Sequence, residues 1–225
     1  MKIFTPRIQL LITLILLANF SFSQTSWRGT SSTKWSTSAN WTNGVPSATK
    51  DAILGDANFS GSNQPTVDKT SSCKSISIGG TVATTLTASK NLTVSGDLLI
   101  NANGVISQGN SSLSLTGSWT NNNTYSYSNN NARVIFAGVA QSINGSSVTA
   151  FRKLTVNTGS TLTMNVDFTT NNVFTVNGTI NPNTPTTYTV SPNSMTLNSG
   201  GKLLVYASTF TGNYSTNPTV NSGST

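Results

Sequence analysis

Short apolar pairs, separated by one residue, recur along most of the chain. Their first residues are 20 or 21 positions apart, and the pairs are Leu92/Val94, Leu113/Leu115, Val134/Phe136, Leu154/Val156, Phe174/Val176 and Met195/Leu197. Alternation at a period of two places both side chains of a pair on the same face of a strand. A repeat of about 20 residues built on such a unit is typical of a β-solenoid, in which each repeat forms one coil.

Two further sets of apolar positions follow at nearly the same period. The second set is Leu86, Ile106, Tyr127, Val148, Phe168, Tyr188 and Phe210. The third set is Ile76/Ile78, Leu98/Ile100, Trp119, Ile143, Leu162/Met164, Ile180 and Leu203/Val205. Three sets per repeat predict three strands per coil. We therefore predict an all-β fold, a right-handed parallel β-helix with three-strand coils of about 20 residues.

The segments between the apolar positions are rich in Asn, Ser, Thr and Gly. Ser, Thr and Asn make up 99 of the 225 residues, a composition that occurs in disordered chains as well as in folded ones. The regular alternation of β-branched and aromatic residues favours a folded β structure. Asn and Gly adopt the positive φ angles that tight corners require. Asn residues at one corner of successive coils can also stack in hydrogen-bonded ladders.

Residues 1–23 have the pattern of a secretory signal peptide. Lys2 and Arg7 precede a mostly apolar stretch over 10–20, and Ser21 and Ser23 are small residues suited to cleavage after Ser23. The later part of the chain contains no apolar run long enough to span a bilayer, so we predict no membrane insertion of the mature chain. The predicted location is secreted or extracellular, in association with the cell surface.

Residues 24–65 differ from the remainder of the chain. They contain Trp27, Trp35 and Trp41, and no apolar pair is evident. We predict that this segment is an N-terminal cap whose aromatic rings cover the end of the core; a tryptophan-lined sugar platform is the alternative. Residues 66–225 are predicted to form the coils. Because the pattern continues up to the last residues, we expect a longer protein whose coils are truncated here at the C-terminal end.

Two groups of motifs carry a family resemblance. The first is the pattern W-x-G, W, N-W, G-x-P and D between Trp27 and Asp51. The second is the series V-x-F-x-G, Q-x-I-x-G and F-x-x-L-x-V-N over residues 134–157. Together they resemble the N-terminal part of large exported β-helix repeat proteins of Bacteroidota-type bacteria. The resemblance implies an adhesin-like surface protein, secreted as a type IX cargo.

The missing residue types limit the possible chemistry. The chain has no His and no Glu, so a Ser–His–Asp or Cys–His site cannot form within it. Asp97 and Asp167 are about three coils apart, beyond the ~5–9.5 Å that glycoside hydrolysis requires. We therefore predict no enzymatic activity, no catalytic residue, no metal site and no cofactor. Cys73 is expected to be a buried small hydrophobe, with an intermolecular disulfide as the alternative.

The best candidate for a contact surface is the Asn- and Tyr-rich stretch 121–131. Tyrosine rings at Tyr125 and Tyr127 would stack on sugars, while Asn123 and Asn129 would bind hydroxyl groups. Alternatively, Tyr127 is a core residue of the second set and the Asn residues form corners. The ten cations after residue 23 are scattered along the sequence, which argues against nucleic-acid binding. An extracellular polysaccharide or a host or abiotic surface is the expected partner.

Three functional hypotheses follow. The first is a non-enzymatic structural or adhesin-like β-solenoid at the cell surface. The second is a carbohydrate-binding module of a larger polysaccharide-active enzyme. The third is a degraded lyase-like enzyme.

Overall fold

The computed structural model describes residues 23–184 and 188–225, in which parallel strands wind into a three-sided solenoid of about eight turns. Strands are numbered β1 to β21 in chain order. Sheet 1 consists of β1 (Gln24–Ser26), β2 (Asp51–Leu54), β4 (Ile76–Ile78), β7 (Leu98–Ile100), β10 (Trp119–Asn121), β13 (Ala140–Asn144), β16 (Thr161–Met164), β18 (Thr179–Asn181) and β20 (Lys202–Leu203). Sheet 2 consists of β5 (Thr84–Ala88), β8 (Gly104–Gln108) and β11 (Thr124–Tyr127). Sheet 3 consists of β3 (Ser71–Cys73), β6 (Leu92–Val94), β9 (Ser112–Leu115), β12 (Arg133–Phe136), β15 (Lys153–Val156), β17 (Phe168–Val176), β19 (Val190–Leu197) and β21 (Thr219–Val220), and β14 (Thr149–Phe151) pairs with β17.

The first set of apolar pairs lies in sheet 3, and the predicted register is confirmed. Val134 pairs with Leu113 on one side and Leu154 on the other, in parallel strands. All side chains of this set are at most 3% exposed. The parallel three-sided coil is therefore confirmed. Its right-handed sense stays a prediction, in line with the general preference of parallel crossovers.

The third set forms the inner face of sheet 1, also as predicted. Ile76, Leu98, Trp119 and Ile143 occupy equivalent positions on successive strands. Met164 continues this column by pairing with Ile143, whereas Leu162 and Ile180 belong to a neighbouring inward column that begins at Gln141. Val205 is an exception, because it is 42% exposed.

The prediction for the second set of apolar positions is only partly correct. Ile106 pairs with Tyr125, and Tyr127 pairs with Gln108. Val148 is 61% exposed, and the next two residues facing the core are Thr149 and Phe151. Asn121 pairs with Ile100 and Tyr125 pairs with Ile106, so the connection before β11 is two residues shorter than the connection before β8. This shorter turn makes Tyr125 the inward residue of β11, a change that a constant period cannot reveal.

Asparagine side chains stack from coil to coil, as the composition suggests. The Asn165 Nδ2 donates to Asn144 Oδ1 at 2.7 Å, and Asn183 Nδ2 donates to Asn165 Oδ1 at 2.5 Å. A second column joins Asn221, Asn198 and Asn177 through two bonds of 2.7 Å. Each amide group bonds to the amide group of the next asparagine in its column, so these polar side chains hold successive coils together at the corners.

The N-terminal segment 24–65 combines an aromatic cluster with the start of sheet 1. Trp41 makes edge-on contacts with Trp27 and Trp35, with ring centroids 5.0 and 4.7 Å apart, and all three rings are buried. The same segment contributes β1 and β2, in which Ala52 and Leu54 form an apolar pair that periodicity did not reveal. The cluster is continuous with the core of the coils.

Helical structure is confined to two short pieces within the described residues. A 3₁₀ turn spans Ser38–Asn40, and helix α1 spans Phe210–Asn213. Phe210 of the second set therefore lies in a helix and stacks on Tyr214, with ring centroids 4.9 Å apart. Tyr214 is buried and forms a parallel bridge with Val190.

Cys73 ends β3 at the inner face of sheet 3, in register with Val94. It is fully buried, as predicted for a small hydrophobe. Burial, with a smaller contribution from the negative charge of Asp51, raises the pKa of the Cys73 thiol far above its ordinary value. The thiol therefore stays protonated and enclosed while the chain is folded.

We expect Cys73 to be inert in the folded protein. Labelling with a thiol reagent at about pH 8 should be at least about 1,000-fold slower than in guanidinium, because it requires unfolding. The unfolded thiol ionises above about pH 8.5, whereas the folded one keeps its proton. The free energy of unfolding should accordingly fall as pH rises past that value. Rapid labelling of the folded chain would contradict this and would show that the thiol is accessible enough to form an intermolecular disulfide.

Candidate functional site

The structure places Tyr125 inside the coil rather than on the surface. Its ring is 9% exposed and lies edge-on to Trp119, with centroids 5.1 Å apart. The Tyr125 hydroxyl donates to Gln108 Oε1 at 2.5 Å. Burial, followed by the proximity of Tyr127, raises the pKa of Tyr125 well above its ordinary value. The expectation of an exposed ring at this position is therefore wrong, because Tyr125 is a core residue.

Tyr127 is half-buried at the corner between sheets 2 and 3. Its hydroxyl accepts a hydrogen bond from Asn171 Nδ2 at 2.6 Å. The Arg152 guanidinium carbon lies 6.0 Å from the centre of the Tyr127 ring, within the range of a cation–π contact. This ring thus belongs to an ordered polar cluster and is partly covered.

The structure separates the two asparagine candidates. Asn123 lies in the turn before β11, where its Nδ2 donates to the Gly104 carbonyl of the preceding coil at 2.9 Å. Asn129 lies in the turn after β11, where its Oδ1 accepts from the Asn131 backbone N–H at 2.8 Å. Both side chains therefore form hydrogen bonds at corners of the coil, as the alternative interpretation expected. Only Asn129 lies in the same turn as Asn131.

A polar notch opens at the same corner, where sheet 2 leads into sheet 3. Its volume is about 270 Å³, and its lining residues are Asn91, Asn110, Ser111, Ser112, Asn131, Arg133 and Lys153. Arg133 is the first residue of β12 and pairs in register with Lys153, the first residue of β15. Adjacent strands are about 4.8 Å apart, so two like charges lie side by side.

Two more cations flank the notch. Lys90 precedes Asn91, whose Oδ1 accepts the Ser112 backbone N–H at 2.9 Å. Arg152 precedes Lys153 and donates from Nη1 to the Asn171 carbonyl at 2.8 Å. The basic corner is hereafter defined as the cations Lys90, Arg133, Arg152 and Lys153 with the amides Asn91, Asn110 and Asn131.

The lining of the notch contains no acidic residue from the described part of the chain. Lys153 Nζ instead donates to a neutral group, Asn131 Oδ1, at 3.2 Å. Within the described residues the single ion pair joins Lys74 to Asp51 across 3.7 Å, away from the notch lining. The basic corner is therefore a positively charged surface with amide and hydroxyl groups between its cations. This combination suits an anion that also carries hydroxyl groups.

A second groove, of about 240 Å³, lies on the outer face of sheet 1. Asp51, Ser75 and Asp97 line one side of it on successive coils, with Ile53 and Leu99 beside them. The backbones of Asp51 and Asp97 are two strand spacings apart, about 9.5 Å, a value close to the largest carboxylate separation used in glycoside hydrolysis. Each carboxylate accepts a backbone N–H of the following coil: Asp51 from Ser75 at 3.1 Å, and Asp97 from Ser118 at 2.7 Å. These bonds give both acids a structural role.

Sequence reasoning missed the basic corner, although a signal was available. Arg133 and Lys153 directly precede the apolar pairs at Val134 and Leu154, and Lys90 stands two positions before Leu92. Cations at nearly the same offset from a periodic pair must share one corner of the solenoid. The interpretation of the cations as scattered is therefore wrong for Arg133 and Lys153, which line one notch.

Comparison with models of known families, curated proteins and solved structures finds no match to this chain. No helix within residues 23–184 and 188–225 is long and apolar enough to cross a membrane. The predicted signal peptide, residues 1–23, lies outside the described residues except for Ser23.

Proposed function

We propose that this protein is an exported, adhesin-like β-solenoid that acts by presenting a binding surface and not by catalysis. The observation that carries the proposal is the basic corner, which lies on the outside of a rod whose interior is filled by apolar side chains. Parallel strands in register hold these side chains at fixed positions on consecutive coils. Such a ladder is suited to contact with an extended partner rather than with a small enclosed substrate.

Export to the cell surface is part of this proposal. The basic and apolar pattern of residues 1–23 and the resemblance to exported β-helix proteins of Bacteroidota-type bacteria support it. On this view the protein belongs to the type IX secretion cargo class. Its partner is an extracellular polysaccharide or a host or abiotic surface, with no nucleic acid, cofactor or membrane insertion involved.

The test of this function uses the source cells. Antibodies raised against the protein should label intact cells, and external protease should remove the label. A strain that lacks the gene should attach more weakly to polysaccharide-coated surfaces, and the wild-type gene should restore attachment. Detection only after cell lysis, or unchanged attachment of the deletion strain, would contradict the proposal.

A second candidate is a carbohydrate-binding module of a polysaccharide-active enzyme. The basic corner supports it, because amides next to cations are suited to an acidic sugar. To distinguish the module from the adhesin-like function, the protein isolated from source cells is incubated with acidic polysaccharides. Release of reducing ends or unsaturated products would favour the module, whereas intact polymer would favour the adhesin-like function.

A further inference from the structure

We propose that the basic corner binds a carboxylated or sulfated polysaccharide whose chain runs along the axis of the rod. The proposed ligand contacts the corner on several successive coils. This inference rests on the adhesive function proposed above and deepens it by naming the ligand class, the binding residues and the direction of the bound chain.

The first argument is the arrangement of charge. Arg133 and Lys153 are in register on neighbouring strands, a position in which like charges repel. Lys153 is bound to a neutral amide, and no carboxylate of the described residues lines the notch. An anionic group seated between the two side chains would be attracted by both and would remove their repulsion. This close pair of cations therefore points to an anionic ligand.

The second argument is the set of neutral groups in the notch. The Oδ1 atoms of Asn91 and Asn131 already accept bonds from Ser112 and Lys153. The Nδ2 groups of these two amides are suited to donate to a ligand, and Asn110 and Ser112 add groups that donate and accept. A polysaccharide presents hydroxyl and anionic oxygens together, which matches this mixture.

The third argument is the direction of the site. Lys90, Ser112, Arg133 and Lys153 come from four consecutive coils at sheet 3, so the corner extends along the rod for about 14 Å, three strand spacings. Arg152 adds a guanidinium fixed by Asn171 and Tyr127. Its Nε is a buried donor with no hydrogen-bond partner among the described residues. A chain that lies across all four coils would make more contacts than a single sugar.

Nucleic acid is a poorer fit to the same surface. Binding of single strands depends on exposed aromatic rings on which bases stack. Tyr125 is buried, and the ring of Tyr127 is approached by Arg152 and held through its hydroxyl by Asn171.

The experiment measures binding of the purified protein to four immobilised polymers: polygalacturonate, dextran sulfate, dextran and single-stranded DNA. We expect binding to at least one of the first two, no binding to dextran, and weaker binding to DNA. Affinity should fall as salt is raised from about 50 to about 200 mM, because the contacts are charged. The polymer that binds identifies carboxylate or sulfate as the preferred group, and longer oligomers should bind more tightly than trimers.

Paired variants test the residues. Arg133→Gln/Lys153→Gln should weaken binding by about 10-fold or more, since two charge-assisted contacts are lost. The control Arg28→Gln/Lys202→Gln removes the same two charges at exposed positions outside the notch lining and should change affinity by less than about 2-fold. The exchange Arg133→Lys/Lys153→Arg, which keeps both charges, should retain most of the binding.

Three results would overturn the inference: no binding to either acidic polymer, equal losses in both Gln variants, or a preference for DNA. The outcome is independent of surface display. If antibodies detect the protein on intact cells but the purified protein binds neither acidic polymer, only the proposed ligand is rejected. If the purified protein binds an acidic polymer but is never detected on intact cells, only the surface function is rejected.

Discussion

Trp119→Ala is expected to lower the free energy of unfolding by about 3–5 kcal/mol, the range for removal of a large aromatic side chain from a core. The Trp119 ring is fully buried on the inner face of sheet 1. It makes edge-on contacts with Tyr125 and Phe151 at centroid distances of 5.1 and 5.2 Å. Its Nε1 also donates to Thr149 Oγ1 at 3.1 Å. Truncation thus opens a cavity between two sides of the coil and removes a buried hydrogen bond.

Equilibrium unfolding in urea measures this loss. Tyr206→Ala is the control, because it truncates an aromatic residue that is 50% exposed and should change the free energy by no more than about 0.5 kcal/mol. Similar losses in the two variants would contradict the assignment of Trp119 to the core.

Gln141→Leu is expected to lower the free energy of unfolding by about 2–4 kcal/mol, although the two side chains are similar in size. Gln141 is 4% exposed and connects two coils at the corner between sheets 3 and 1. Its Nε2 donates to the carbonyls of Leu115 and Gly117 at 3.0 and 2.6 Å, and its Oε1 accepts from the Gly138 N–H at 2.7 Å. Leucine would leave the Gly117 carbonyl and the Gly138 N–H without this partner, at about 1–3 kcal/mol for each one left unsatisfied. The Leu115 carbonyl would keep its bond from the Ala137 N–H at 2.9 Å.

Gln64→Leu is the matched control for this substitution. Gln64 also bonds to a neighbouring coil, since its Oε1 accepts from the Thr85 N–H at 2.8 Å, but the bond is exposed. Water can replace the glutamine there, so a change below about 0.5 kcal/mol is expected. Urea unfolding of both variants, with secondary structure followed by circular dichroism, provides the comparison. An equal effect at the two sites would show that burial of the Gln141 bonds is not the cause.

The accuracy of the sequence prediction differed among the sides of the coil. The pairs of sheet 3, such as Val134/Phe136, were predicted with the correct register because they recur at an almost constant interval in successive coils. The inward position of Tyr125 was not predicted, because both Tyr125 and Tyr127 fit the alternation and the turn before β11 is shorter. The pair Ala52/Leu54 was missed because an irregular turn places it more than one coil period before its partners in β4.

The candidate site was less accessible to prediction than the fold. Tyr127 and Asn129 were candidates for ligand binding and lie outside the notch lining, whereas the charged residues that define the notch were interpreted as dispersed. Arg133 and Lys153 are one coil period apart in the chain and adjacent across a strand pair. Their proximity follows only when the coil period is applied to the cations as well as to the apolar residues.

Local alternation and a nearly constant coil period were sufficient to establish the parallel solenoid, because every coil must bury the same inward positions to exclude water. The corners obey no such requirement. A turn can lose two residues, as before β11, and its side chains can point to solvent or to a neighbouring coil with little effect on the core. The charge of the basic corner, the burial of Tyr125 and the stacking of Asn144, Asn165 and Asn183 therefore depend on which turns are brought together, and winding of the whole chain sets that arrangement.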